Sequence, residues 1–85
     1  MVSPLDGDPL EHIRRRRWRA FVVEFVRLRL TGHDQDDAAR KAAGYAFHGF
    51  SRPEAALRKG RALLADPRIV AAIASRLPPT LAGVR

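Results

Sequence analysis

Asp66-Pro67 falls inside a run, residues 53 to 77, that otherwise reads as one continuous helix former. The carboxylate of Asp66 can accept from backbone N–H groups that a new helix leaves unpaired, and Pro67 suits the first helical position, where its missing N–H costs nothing. One helix therefore ends near Ala65 and another begins at once. A joint that tight forces two short helices to cross, which restricts the chain to a small helical bundle.

The remaining punctuation divides the chain into more helices of the same kind. Residues 1–7 carry Pro4 and Gly7 without apolar periodicity and read as a loose arm. Asp8-Pro9 with Glu11 supplies the elements of a capping box, from which a long first helix is expected to run to about Leu30 and stop near Thr31-Gly32. Trp18, Phe21, Val22, Phe25 and Leu28 form its core stripe. Val23, Val26 and Leu30 form a second, narrower stripe, which either meets other helices of the same domain or meets another copy of the chain. Asp34 is expected to cap a short alanine-rich helix over about residues 35–43, with Gly44 as its left-handed stop. Tyr45, Phe47 and Phe50 are read as core plugs in the following loop. Ser51 and Glu54 flank Pro53 as a second capping-box pattern, opening a helix over about residues 52–64 on which Ala55, Ala56, Leu63 and Leu64 face inward and Gly60 permits a close crossing. The last helix, about residues 67–77, buries Ile69, Ile73 and Leu77 and ends before Pro78-Pro79. The expected fold is all-α: a small bundle of four helices over residues 8–77, containing a helix-turn-helix-like unit, with a short tail over residues 78–85.

Charge narrows the choice of partners. There are 16 Lys and Arg against 9 Asp and Glu, a formal charge of +7, which favours phosphates or anionic surfaces. Cysteine is absent, so no disulfide framework or thiolate metal site exists. His12, His33 and His48 lack a ligand spacing, and Ser3, Ser51 and Ser75 lack a nucleophile context; no metal, cofactor or catalytic constellation is expected. The most apolar segment, residues 18–30, is interrupted by Arg19, Glu24, Arg27 and Arg29, so no membrane partner is expected and the cytoplasm is the expected location. Two basic clusters remain. Arg14, Arg15, Arg16 and Arg17 are dense enough to grip phosphates, although four consecutive residues on a helix point all the way round it. Arg52, Arg58, Lys59 and Arg61 lie on the third helix, the element that a helix-turn-helix would lay in the major groove, and Arg40 and Lys41 neighbour them on the second.

In their order, "RAFVVEFV", "DDAARKAAGY" and "GRALLADPRI" resemble the N-terminal domain of phage terminase small subunits and of related phage-like packaging elements. That family pairs an aromatic first helix with an alanine-rich helix closing on Ala-Gly-Tyr, then a helix ending in Leu-Leu before an acid or amide, Pro, a base and a branched aliphatic residue. The resemblance spans residues 18–77. It implies a non-catalytic subunit, assembled as a homo-oligomeric ring, that binds double-stranded DNA and presents it to the terminase large subunit, which holds the ATPase and nuclease. Family members usually continue into an oligomerisation helix pair and a docking tail; here those tasks fall to the first helix and short tail, or the chain is an isolated domain or a reduced relative. A packaging adaptor with weak, non-specific DNA binding and a small helix-turn-helix transcription regulator are the alternative readings. A membrane-active basic helix ranks behind them, because the downstream helices supply a core for its apolar face.

Overall fold

Helix boundaries follow the capping chemistry closely at two of the four starts. The computed structural model describes Ile13 and residues 15–78, and its elements are α1 (Arg16–Leu30), α2 (Gln35–Ala46), α3 (Pro53–Leu64) and α4 (Pro67–Ala74). No strand occurs among the described residues. Asp34 Oδ1 accepts from Asp37 N at 2.7 Å at the start of α2, and Asp66 Oδ1 accepts from Arg68 N at 2.9 Å at the start of α4. Both caps are the ones the sequence marks. α1 stops as expected, in a Schellman motif: Gly32 has φ +100°, His33 N donates to Leu28 O at 3.0 Å, and Gly32 N donates to Arg29 O at 3.2 Å.

Four boundaries differ from expectation, one of them the end of α4, which stops at Ala74 and leaves Leu77 to pack from the turn beyond it. α1 begins at Arg16 rather than near Asp8, because Arg15 is extended with φ −76° and ψ 121°. Ile13, only 2% exposed, packs into the core ahead of the helix; a lone apolar residue beside a run of arginines is buried by leaving the helix while the arginines stay in water. The Asp8-Pro9 pattern, the 1–7 arm and the tail beyond Pro78 lie outside the described residues. α2 does not stop at Gly44 but continues to Ala46, which is buried. A mid-helix glycine costs only about 1 kcal/mol, which burial of Ala46 helps to offset. α3 is preceded by Arg52 without a side-chain cap, so Ser51 is not its N-cap; Pro53 opens the helix instead.

α2 is the hub of the bundle, packing extensively against both α1 and α3, while α4 closes on α1 and touches α3. Phe21, Val22 and Phe25 of α1 and Ile69 and Ile73 of α4 are the largest fully buried side chains, and Phe21 and Phe25 stack with centroids 5.9 Å apart. Leu28, Leu63, Leu64 and Leu77 complete the core, with Trp18 partly buried against it. Against this, α2 presents Ala38, Ala39, Ala42, Ala43 and Ala46, all buried. Such a smooth surface lets another helix come close, and α3 does so at Gly60: a Cβ there would sit 2.5 Å from Ala39 O and 3.0 Å from Ala39 Cβ.

Two glycine substitutions separate propensity from packing. Gly44 lies inside α2 at a negative φ with open space around it, so Gly44→Ala should raise unfolding stability by up to about 1 kcal/mol. Gly60→Ala gains the same propensity but drives a methyl into a backbone carbonyl, and overpacking of this kind costs about 1–3 kcal/mol. Denaturant unfolding should show Gly44→Ala more stable than the parent and Gly60→Ala less stable.

Candidate nucleic-acid interface

On an ideal helix turning ~100° per residue, burial of Ala56, Gly60, Leu63 and Leu64 points Arg58 straight outward and leaves Lys59 and Arg61 on opposite flanks of α3. The side-chain contacts agree. Arg61 reaches the first turn of α2, where Nη2 donates to Asp36 Oδ2 at 2.8 Å and Nε to Asp36 Oδ1 at 3.3 Å. Lys59 turns the other way, its Nζ 4.8 Å from the centroid of Phe47 just beyond the end of α2. Arg58 is exposed and has no carboxylate partner among the described residues. The four cations of the third helix therefore spread around it instead of forming one patch.

Arg52 belongs to a second feature. A hollow of about 280 Å³ is lined by Arg40, Lys41 and Gly44 of α2, by Phe50, Ser51 and Arg52 of the connection, and by Pro53 and Ala56 of α3. Because Arg52 provides no side-chain cap, the positive end of the α3 dipole adds to the field of the three bases around it. Arg40 and Lys41 are held by one acid on their own helix: Arg40 Nη2 lies 2.6 Å from Asp37 Oδ1, and Lys41 Nζ lies 3.3 Å from Asp37 Oδ2. His33 Nε2 approaches the same carboxylate at 3.8 Å. Arg52 is exposed and without such a partner among the described residues. The hollow thus has Arg52 on one part of its lining and the Arg40–Lys41 pair, engaged by Asp37, on another.

The acids register these interactions. The bidentate hydrogen bond from Arg61 holds the Asp36 carboxyl below its ordinary value against desolvation, with the charge of Arg61 adding to the lowering. The Asp37 carboxyl is lowered chiefly by its hydrogen bond from Arg40, with Lys41 adding to it. Exposed pairs such as these contribute little to stability; their importance is that they occupy the cations.

Of the first basic cluster, Arg14 lies outside the described residues. Arg15 sits over the Trp18 ring with its guanidinium carbon 5.0 Å from the centroid. Arg16 and Arg17 are exposed on the opening turn of α1. The second apolar stripe is split: Val26 is buried in the chain's own core, whereas Val23 and Leu30 are 52% and 56% exposed. Tyr45 is not a core plug. It is 61% exposed, since α2 continues through Gly44 and carries it off the buried alanine face. Phe47 and Phe50 are partly buried against the core, as expected. Among the described residues, no group of acids and histidines is placed to hold a metal, and no helix is long and apolar enough to cross a membrane. No protein-family model matches the chain, and no curated protein or solved structure matches it either.

The Asp36–Arg61 pair can be tested through its proton. Because the folded pKa of Asp36 lies below the unfolded one, the pair's contribution to stability is present above about pH 4 and is lost as pH falls through the lowered folded value. An NMR titration of the Asp36 carboxyl should give a midpoint below that of an unpaired aspartate. In Arg61→Ala the midpoint should rise toward the ordinary value while that of Asp37 stays in place.

Proposed function

We propose that the chain is the DNA-recognition subunit of a terminase-type packaging system, in which α2 and α3 form a helix-turn-helix-like unit on double-stranded DNA. The observation that carries this reading is the pair Arg52 and Arg58: two exposed arginines, one at the start of α3 and one on its outward face, that no described carboxylate neutralises. Arginine at such positions can grip phosphate or pair with guanine edges. The hollow beside Arg52 gives a second phosphate seat. Delivery of the DNA to a large subunit with ATPase and nuclease activity, ring assembly and a cytoplasmic location join the proposal through the resemblance of "DDAARKAAGY" and "GRALLADPRI" to the family motifs.

A second reading has its own support. Arg61 is taken up by Asp36, and Arg40 and Lys41 share Asp37, which reduces the positive charge on offer and suits an assembly adaptor with weak, indiscriminate DNA affinity. Sequence preference separates the two, since an adaptor binds all duplexes alike.

The pairing pattern ranks the cations. Arg52→Ala with Arg58→Ala should weaken duplex binding more than Arg61→Ala, and should flatten the log–log salt dependence by about 0.9 for each phosphate that the removed guanidinium groups no longer neutralise. Asp36→Asn frees Arg61 and should strengthen binding. Gel shift or fluorescence anisotropy across a salt series reads all three. Equal losses of affinity for Arg61→Ala and the double variant would contradict the assignment.

A further inference from the structure

A second hollow, of about 410 Å³, lies on α1, lined by Arg16, Arg19, Ala20, Val23 and Glu24 and closed by Tyr45 from α2. Arg16, Arg19, Ala20, Val23 and Glu24 recur at helical spacing and share one face of α1. Val23 and Tyr45 are two of the three large apolar side chains that the described residues leave exposed. The third, Leu30, continues the same face two turns beyond Val23.

Its charges are uneven. The carboxylate of Glu24 is clamped by its own helix, accepting from Arg27 Nε at 2.9 Å and from Arg27 Nη2 at 2.6 Å. Arg16 and Arg19 are exposed and have no acidic partner among the described residues. The face thus combines an apolar floor with two unanswered cations at one end.

Three occupants can be compared on that basis. Duplex DNA would bring phosphates to the arginines but nothing to cover Val23 and the Tyr45 ring. A second copy docked on the same face about a two-fold axis would set Arg16, Arg19 and Arg27 against themselves, with Glu24 already engaged, and like charges across an interface are penalised. An acidic amphipathic protein segment answers both features, placing an aliphatic or aromatic side chain in the hollow and carboxylates against Arg16 and Arg19. We propose that this hollow docks an acidic, amphipathic segment of a protein partner. The inference goes beyond the DNA reading and stands apart from it. The two hollows share no lining residue, although Gly44 of one and Tyr45 of the other are consecutive in α2.

The test uses the full chain and a labelled synthetic helix-forming peptide with Leu and Phe along one face and Glu along the other. Two control peptides carry Lys in place of Glu, or Ser in place of Leu and Phe. The acidic amphipathic peptide should bind at least about tenfold more tightly than either control, a difference of the size that interface anchors produce. Val23→Ser with Tyr45→Ser should remove that advantage without moving Tm, since both side chains are exposed, and should leave duplex binding unchanged. Arg16→Glu with Arg19→Glu should reverse the preference toward the Lys peptide. The Arg52→Ala, Arg58→Ala variant should bind the peptide normally, so failure of the DNA reading leaves a distinct signature. Four outcomes would overturn the proposal: equal binding of the Ser peptide, a concentration-dependent dimer abolished by Val23→Ser, binding to phosphatidylserine vesicles abolished by the same change, or loss of duplex affinity in the Val23→Ser, Tyr45→Ser variant.

Discussion

The approach of Gly60 to Ala39 fixes how α3 lies on α2, and the positions of the basic side chains follow from it. Neither residue contributes a large apolar area. Their effect is geometric: without a Cβ at position 60 the two backbones come together at one point, and that point acts as the pivot for the residues on either side. Lys59 is then carried toward Phe47 at the far end of α2, and Arg61 toward Asp36 at its beginning. Arg58 is turned into solvent. A bulkier pivot would lift α3 from α2 and break this division, because packed helices shift as units and not atom by atom.

Local chemistry made most of the fold readable. Asp34, Asp66, Pro67 and Gly32 each act through backbone groups within a few residues of themselves, so their effect survives in any tertiary setting that keeps the helix. The core stripes of α1 and α4 were legible for the same reason. The readings that changed each involved a distant partner or a competition between neighbours. Gly44 carried a stop signal, but the apolar face continues through Ala46, and the longer helix exposes Tyr45. Ile13 looked helical by position and is instead drawn into the core. Val26 belongs to that core, whereas Val23 and Leu30 stand outside it.

The basic surface was legible in kind but not in detail. A sequence gives the number of cations, and here the surplus is plain. It does not give which of them are already answered. Asp36 and Arg61 are separated by a helix and a half of chain, and no local pattern joins them; Arg40 and Lys41, by contrast, lie three and four residues after Asp37, a spacing that signals their pairing. The same distinction sets the two hollows apart. Around α3, an unanswered arginine stands beside a helix start and a hollow that two further bases line. On α1 the unanswered arginines stand beside aliphatic and aromatic side chains, a combination suited to a protein partner.

The most direct test of the DNA reading is a map of the duplex footprint on the isotopically labelled chain. Backbone and arginine side-chain NMR shifts would be followed while a short random-sequence duplex is titrated in at low salt. The largest changes should fall on Arg52, Arg58 and the residues lining the hollow between α2 and α3, with Val23 and Tyr45 quiet. Changes confined to the start of α1, or none at all, would contradict that reading and remove α3 from the DNA-binding role.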